Sequence, residues 1–327
     1  MTKRIFLVLL PALLLSCKQT NESIEQTTSR ITLTVQNLPP LEAGHYQLWG
    51  TFFQFNKSTG VSSPQHEDEY VSFGEFKITT DGTVEALDGG RPEFKLPPNA
   101  DPQLLRDVVV AIQSEHEVPE PRHDEPGSIV MGGAFRGDAA MATADLSISY
   151  ADAFNANLDI ASGKCTMVSA TSPADSNFGL WFVESVAAQT AGLKNLPKLP
   201  DEWRYEGWVV DKFRSTVDPP KYYSTGKFMK ADSADYDGAG PYADSTRTGH
   251  NFPGQDFVRN PVRLDLSPPF RFYFMITLEP YPDNSINPNF LKLLTTETLT
   301  IPPQGRTMSM QNVISSVAPR GKVVVNR

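Results

Sequence analysis

The chain has 327 residues, of which 39% are hydrophobic and 10% aromatic, and a formal net charge of −9. That length is enough for two domains with cores of their own, and the aromatic share excludes a disordered polypeptide. No run of basic residues occurs, which excludes a nucleic-acid partner held through its phosphates. The 27 prolines and 22 glycines predict many turns and few long helices.

Lys3 and Arg4 precede an apolar run from Ile5 to Leu15 that is too short to span a bilayer comfortably. It ends in Leu14-Leu15-Ser16-Cys17, which resembles a bacterial lipobox. Residues 1–17 are read as a lipoprotein signal peptide, with Cys17 the lipidated first residue of the mature chain. The expected location is extracytoplasmic, on the bacterial outer membrane, with the lipid as the membrane contact. Residues 18–29 are polar and read as a flexible tether. With Cys17 lipidated, Cys165 has no partner. Its strand-like setting, Lys164-Cys-Thr-Met-Val168, predicts a buried, inert thiol.

Arg30 to Asn37 alternates Ile31, Leu33 and Val35 with polar residues, as a half-buried strand does. Pro39-Pro40 stops it, and Tyr46 to Phe55 follows as an aromatic strand. Beyond the charged loop at His66, Tyr70 to Thr79 reads as a strand closed by the turn Thr80-Asp-Gly82, with a short strand over Thr83–Leu87. Val108 to Ile112 is a β-branched core strand, and Ser128 to Met131 resumes after a charged loop. Gly132 to Ser162 is alanine-rich and fits either a strand or a short helix.

The order then repeats. Asn37-Leu-Pro-Pro leads to Tyr46-x-x-Trp49, and Asn195-Leu-Pro-Lys leads to Tyr205-x-x-Trp208 with one extra residue in the turn. Gly74-x-Phe76 matches Gly226-x-Phe228, and Ile112-Gln-Ser-Glu115 matches Ile276-Thr-Leu-Glu279. Three matches in one order predict a duplication. The repeat is too long for a solenoid unit, so each copy is expected to be a domain. The fold expected is all-β: two tandem immunoglobulin-like β-sandwich domains. Their spans are 30–160 and 161–327, with an insertion loop at 230–263 in the second. The tail, Gly321 to Arg327, is expected to close a sheet as an edge strand.

Tyr205-Glu-Gly-Trp208, Ser224-Thr-Gly-Lys-Phe228 and Ile276-Thr-Leu-Glu279-Pro280 together resemble the extracytoplasmic C-terminal domain of anti-sigma-K factors. Gly179-Leu-Trp-Phe-Val183 and Pro253-Gly-Gln-Asp-Phe257 resemble its Bacteroidetes-type lipoprotein versions. The likeness covers about residues 178–303 and, more weakly, 30–135. It implies the fold of the outer domain. Members of that family also carry a sigma-binding segment and a membrane-spanning helix, which have no counterpart in this sequence, so anti-sigma activity is not implied.

His116 and His123 stand among Glu115, Glu117, Glu120, Asp124 and Glu125. Three prolines make that stretch a loop, so a solvated surface is favoured over a metal site. The same holds for His66-Glu-Asp-Glu69. Asp232-Ser-Ala-Asp235-Tyr-Asp237-Gly238 has the composition of a calcium loop but not the EF-hand spacing; a polar turn is favoured and calcium left open. Trp49 and Trp208 are matched and read as core rather than as stacking platforms. The chain carries no nucleophile elbow, phosphate loop or dinucleotide fingerprint, and Gly132 to Gly137 lacks the spacing for one. Catalytic, metal and cofactor residues are therefore set at none. The expected function is a non-catalytic binding, sensing or structural module with an envelope protein or glycan as partner. The alternative is an extracytoplasmic hydrolase or carbohydrate-binding lipoprotein using the 230–263 insertion.

Overall fold

The computed structural model describes residues 29–56, 58, 61–62, 69–98, 100–113, 125–212, 219–244, 248–283, 285–298 and 307–327. Cys17 and the signal segment, residues 18–28 of the tether, and the loops holding His66, His116 and His123 lie outside them.

The chain is all-β, 44% strand and 6% helix. The first half runs β1 (Arg30–Gln36), β2 (His45–Phe52), β3 (Phe55–Asn56), β4 (Val61–Ser62), β5 (Tyr70–Ile78), β6 (Val84–Glu85), β7 (Leu105–Gln113), β8 (Ser128–Ala134), β9 (Arg136–Gly137) and β10 (Met141–Ser147). The second runs β11 (Gly163–Met167), β12 (Gly179–Trp181), β13 (Val183–Ser185), β14 (Thr190–Ala191), β15 (Trp203–Asp211), β16 (Lys221–Phe228), β17 (Gly254–Asp256), β18 (Phe272–Pro280), β19 (Lys292–Thr295) and β20 (Thr307–Asn312). A four-residue helix, α1 (Ile314–Val317), leads into β21 (Arg320–Asn326).

Two large antiparallel sheets result. One has the order β1-β21-β10-β8-β7-β2-β5-β6, with β9 on β10; the other has the order β16-β15-β18-β19-β20-β11-β12-β17. Each curls until its ends meet, β6 lying against β1 and β17 against β16, so each is nearly barrel-like. Curling removes exposed edges that would otherwise template pairing with another chain.

The duplication is visible in the strand order. β5-β2-β7 and β16-β15-β18 are equivalent triplets, and each central strand has a register shift at its tryptophan: Leu48/Trp49 in β2, Glu206/Trp208 in β15. The glycines opposite those shifts, Gly74 and Gly226, have φ of 144° and 95°. Only glycine takes such backbone without strain, which explains why the Gly-x-Phe phrase occurs in both copies. The third sequence match needs correction. Gln113 pairs with His45, and Glu279 pairs with Arg204, the residue before each repeat tyrosine. Glu279 is therefore the counterpart of Gln113, not of Glu115.

Counted by the repeat, with β11 the last strand of the first copy and β21 of the second, the two copies exchange their last strands. β10 continues through a 3₁₀ turn, Leu158–Ile160, into β11, which pairs with β20 and β12 of the second sheet. β20 continues through α1 into β21, which pairs with β10 and β1 of the first. Sheet membership thus crosses the 160/161 boundary. The tail is not an edge strand: it sits between two neighbours over its whole length, Val323 opposite both Leu33 and Ala144. One buried apolar cluster runs through both halves, from Leu48 and Val110 to Ile276 and Val323. The strands β2, β7, β15 and β18 are buried on both faces. Their second faces carry small clusters around Trp49 and Trp208.

Candidate functional site

The repeated Asn-Leu-Pro phrase is a brace. Asn37 and Asn195 have φ of 56° and 55°, a left-handed turn conformation that asparagine tolerates better than most residues. Asn37 Nδ2 donates to Ala318 O at 3.2 Å and Asn195 Nδ2 to Ile160 O at 3.4 Å, each just before an exchanged strand. Downstream, Tyr46 donates its hydroxyl proton to Pro39 O at 2.9 Å and Tyr205 to Pro197 O at 2.7 Å. The same tyrosines stack on Phe76 and Phe228, with ring centroids 5.6 Å apart in both halves. Burial pushes both phenols well above their usual range, so they stay protonated donors.

These turns meet the opposite half. The turn of the second copy docks on β8: Trp203 Nε1 donates to Ile129 O and Ser128 Oγ to Glu202 O, both at 3.2 Å, while Phe154 and Trp203 pack at 4.8 Å. A cleft of about 460 Å³ opens there, between Tyr70 and Asp152 on one side and Pro200 and Glu202 on the other. The turn of the first copy faces the segment after β18, where Asn287 Nδ2 donates to Glu42 Oε2 at 2.8 Å. The cleft there is larger, about 920 Å³, and is lined by Leu41, Tyr222, Glu279, Asp283, Ile286 and Phe290 among others. Tyr70 and Tyr222 are equivalent, opposite Thr51 and Val210 two residues past each repeat tryptophan, so the clefts are counterparts.

The wall of the larger cleft holds the main chemical difference between the halves. In the first, Gln113 Nε2 donates to Gln47 Oε1 at 3.0 Å and Gln47 Nε2 to Ser72 Oγ at 2.7 Å. In the second, the matched positions are Glu279, Glu206 and Ser224. Ser224 Oγ donates to Glu206 Oε1 at 2.5 Å. Lys227 Nζ lies 3.7 Å from both Glu206 Oε2 and Asp283 Oδ2 and donates to Asp283 O at 2.8 Å. Glu279 is fully buried. It accepts from Thr277 Oγ1 and, at 2.9 and 3.1 Å, from the Asn289 amide. Desolvation outweighs the nearby lysine and pushes Glu206 up to about 7. Desolvation and the neighbouring Glu206 push Glu279 well above the usual carboxylate range. Of the two, Glu279 lines the cleft, and buried carboxyls with displaced pKa values beside a cleft are candidate functional groups.

No family model, curated protein or solved structure matches the chain. No described helix is long and apolar enough to cross a membrane.

Trp49 and Trp208 are both buried, as expected. Trp208 Nε1 donates to Thr277 Oγ1 at 2.8 Å, whereas Trp49, opposite Val109 and beside Ala111, leaves its Nε1 unpartnered. Cys165 is buried in β11, and burial pushes its thiol well up. Of the aspartates at 232–238, Asp235 is buried, accepts from the Gly254 amide at 2.9 Å and meets the side chain of Asp237, while Asp232 is exposed and takes no part. Among the described residues no group of three His, Cys, Asp or Glu side chains is arranged to hold a metal. The 230–263 insertion supplies β17, whose Asp256 is fully buried and accepts from Trp181 Nε1 (2.8 Å), Ser169 Oγ (2.9 Å) and Thr171 Oγ1 (2.6 Å). That ties β17 to β12 and makes the insertion part of the sheet. Sequence reasoning missed Glu206, Lys227 and Asp283, and it used Glu279 only as an anchor of the repeat. The signal that finds them is the Gln-to-Glu change at matched positions, readable only once the register is known.

Proposed function

We propose that this protein is a lipid-anchored envelope component on the outer membrane that works by binding rather than by catalysis. The larger seam cleft carries the binding reading, because it is assembled by both halves: the Asn-Leu-Pro turn of one and the segment after β18 of the other. Its carboxyls are engaged in holding that segment, Glu279 through Asn289 and Asp283 through Lys227 and the Ser285 amide. The sequence Leu14-Leu15-Ser16-Cys17 supports the anchor. We also read each half as a divergent, curled version of the immunoglobulin-like outer domain of anti-sigma-K factors. In support, the strands carrying the Tyr-x-x-Trp, Gly-x-Phe and Thr-Leu-Glu-Pro phrases lie side by side as β15, β16 and β18.

A hydrolase is the second reading, favoured by Glu206 titrating near neutrality beside Glu279. A photo-crosslinking residue at Ile286, on the exposed rim of the cleft, tests both. In envelope suspensions it is expected to give a discrete adduct with a glycan or protein component, absent when the crosslinker replaces the exposed Ile160 instead. Equal labelling from both positions, or none from Ile286, refutes the cleft. Envelope fragments released by the purified protein and lost in Glu279→Gln would replace the binding reading with the hydrolase.

A further inference from the structure

The first half serves as an internal control for the second. Both carry a polar network at the same three strand positions. In the first half neutral groups, Gln47, Ser72 and Gln113, satisfy one another. The second half keeps the register and replaces two amides with carboxylic acids, a change that costs desolvation and that the strand pairing does not require. Packing alone leaves the substitution without a reason.

The geometry ties these acids to a movable wall of the cleft. Asp283 and the stretch 285–290 follow β18 and line the larger cleft. Backbone bonds fix the flanks, Tyr281 N–H to Glu202 O at 2.8 Å and Leu278 N–H to Leu291 O at 2.9 Å, and Asn287 reaches Glu42 on the facing turn; between those flanks, among the described residues, the bonds to the sheet come from the acid network. Lys227 Nζ grips Asp283 O at 2.8 Å, and both Glu279 oxygens accept from the Asn289 amide. The charged groups facing the pair come from every neighbouring element: Lys227 on β16, Arg204 on β15, Asp283 on the segment itself and Asp237 on the 232–238 turn. Glu42, on the facing turn of the first half, stands by Tyr222 across the cleft. Carboxyls therefore outnumber the one lysine that reaches them, and the buried face tolerates the pair only while protons offset part of its charge.

We propose that Glu206 and Glu279, with Lys227, form a proton-controlled latch on Asp283 and the stretch 285–290, which holds that wall of the larger seam cleft in place while the pair is protonated and releases it as the pair ionises. The Asn289 amide favours the ionised Glu279, but burial and the neighbouring Glu206 disfavour it more, so charging both carboxylates favours admitting water at Glu279 in place of Asn289. Burial displaces both groups upward, Glu206 to about 7, which places the release above the ordinary carboxylate range. The consequence for ligands rests on the cleft being the binding face; the latch itself does not.

Amide hydrogen exchange on the full chain without ligand tests it. After correction for intrinsic exchange, protection of the 285–290 amides is expected to fall at least about tenfold between about pH 6 and about pH 8.5. In Glu279→Gln, which restores the residue type of the first half, protection is expected to stay at the low-pH level throughout. Glu206→Gln is expected to cut the fall to less than about threefold, and it serves if the other variant does not fold. A flat wild-type profile, or an unchanged fall in both variants, overturns the latch. So does recovery of protection at the higher pH with calcium chloride but not with sodium chloride of equal ionic strength, which would make the network a cation site. Because exchange is read on the free protein, a failed latch leaves the crosslinking result intact, and a failed crosslink leaves the latch intact.

Discussion

Glu206 and Glu279 stand in the second half where Gln47 and Gln113 stand in the first, and the strands around them keep the same register. Trp208 and Trp49 differ in the same way: one indole donates to Thr277, while the other faces Ala111 and has no acceptor. The braces do not differ. Asn37 and Asn195, Tyr46 and Tyr205, and Phe76 and Phe228 make the same contacts at closely similar distances. A duplicated domain thus shows which groups the architecture needs. The braces are the same in both halves and sit just before the exchanged strands. The network by the cleft has changed from amide to acid, and the strand pairing around it is the same with either.

The largest expected effect breaks both halves at once. Val323→Asp puts an unpaired charge into the strand that the second half lends to the first. It should cost more than about 4 kcal/mol or prevent folding, read as loss of the cooperative melt. If the first sheet closed without β21, the melt would be little changed. Trp208→Ala should destabilise by about 3–5 kcal/mol through its cavity. Replacement by phenylalanine separates the halves. Trp208→Phe should cost about 1 kcal/mol more than Trp49→Phe, because only Trp208 loses a hydrogen bond. Equal costs in chemical denaturation would mean that the two indoles sit in equivalent surroundings.

Asp235 gives a pH test confined to the second half. Desolvation raises its carboxyl to about 8, from an ordinary value near 4 in the unfolded chain. The folded state therefore holds a proton that the unfolded state has released. Stability is full below about pH 4 and declines as pH rises toward about 8. Asp235→Asn should flatten that decline and be more stable than wild type by about 1–3 kcal/mol at pH 8, with little difference at pH 4, in paired urea titrations. The smallest effect tests the equality of the braces. Tyr46→Phe and Tyr205→Phe should each cost about 1 kcal/mol, and by similar amounts. A large gap between them would show that one exchanged strand depends more on its brace than the other.

Much of the architecture was legible in the residues. Alternation placed β1, aromatic content placed β2 and β15, and the Gly-x-Phe phrase marked the bends of β5 and β16. The error in matching Glu279 to Glu115 has a definite cause. Side chains along a strand repeat every two residues, so a slip of two keeps every residue on its own face and leaves the pattern unchanged. Only the pairing partners, His45 with Gln113 and Arg204 with Glu279, fix the register. The acid network was hidden for the same reason. Lys227, Glu206, Glu279 and Asp283 are spread over nearly eighty residues and meet only across three strands.

By itself the sequence determined the local conformations and the fact of duplication, because alternation, turn glycines and proline stops act over a few residues. It did not determine which sheet Gly163–Met167 or Arg320–Asn326 joins. A strand offers the same donors and acceptors to any open edge, and only the tertiary structure, with its two curled sheets and one shared core, decides where those bonds are made.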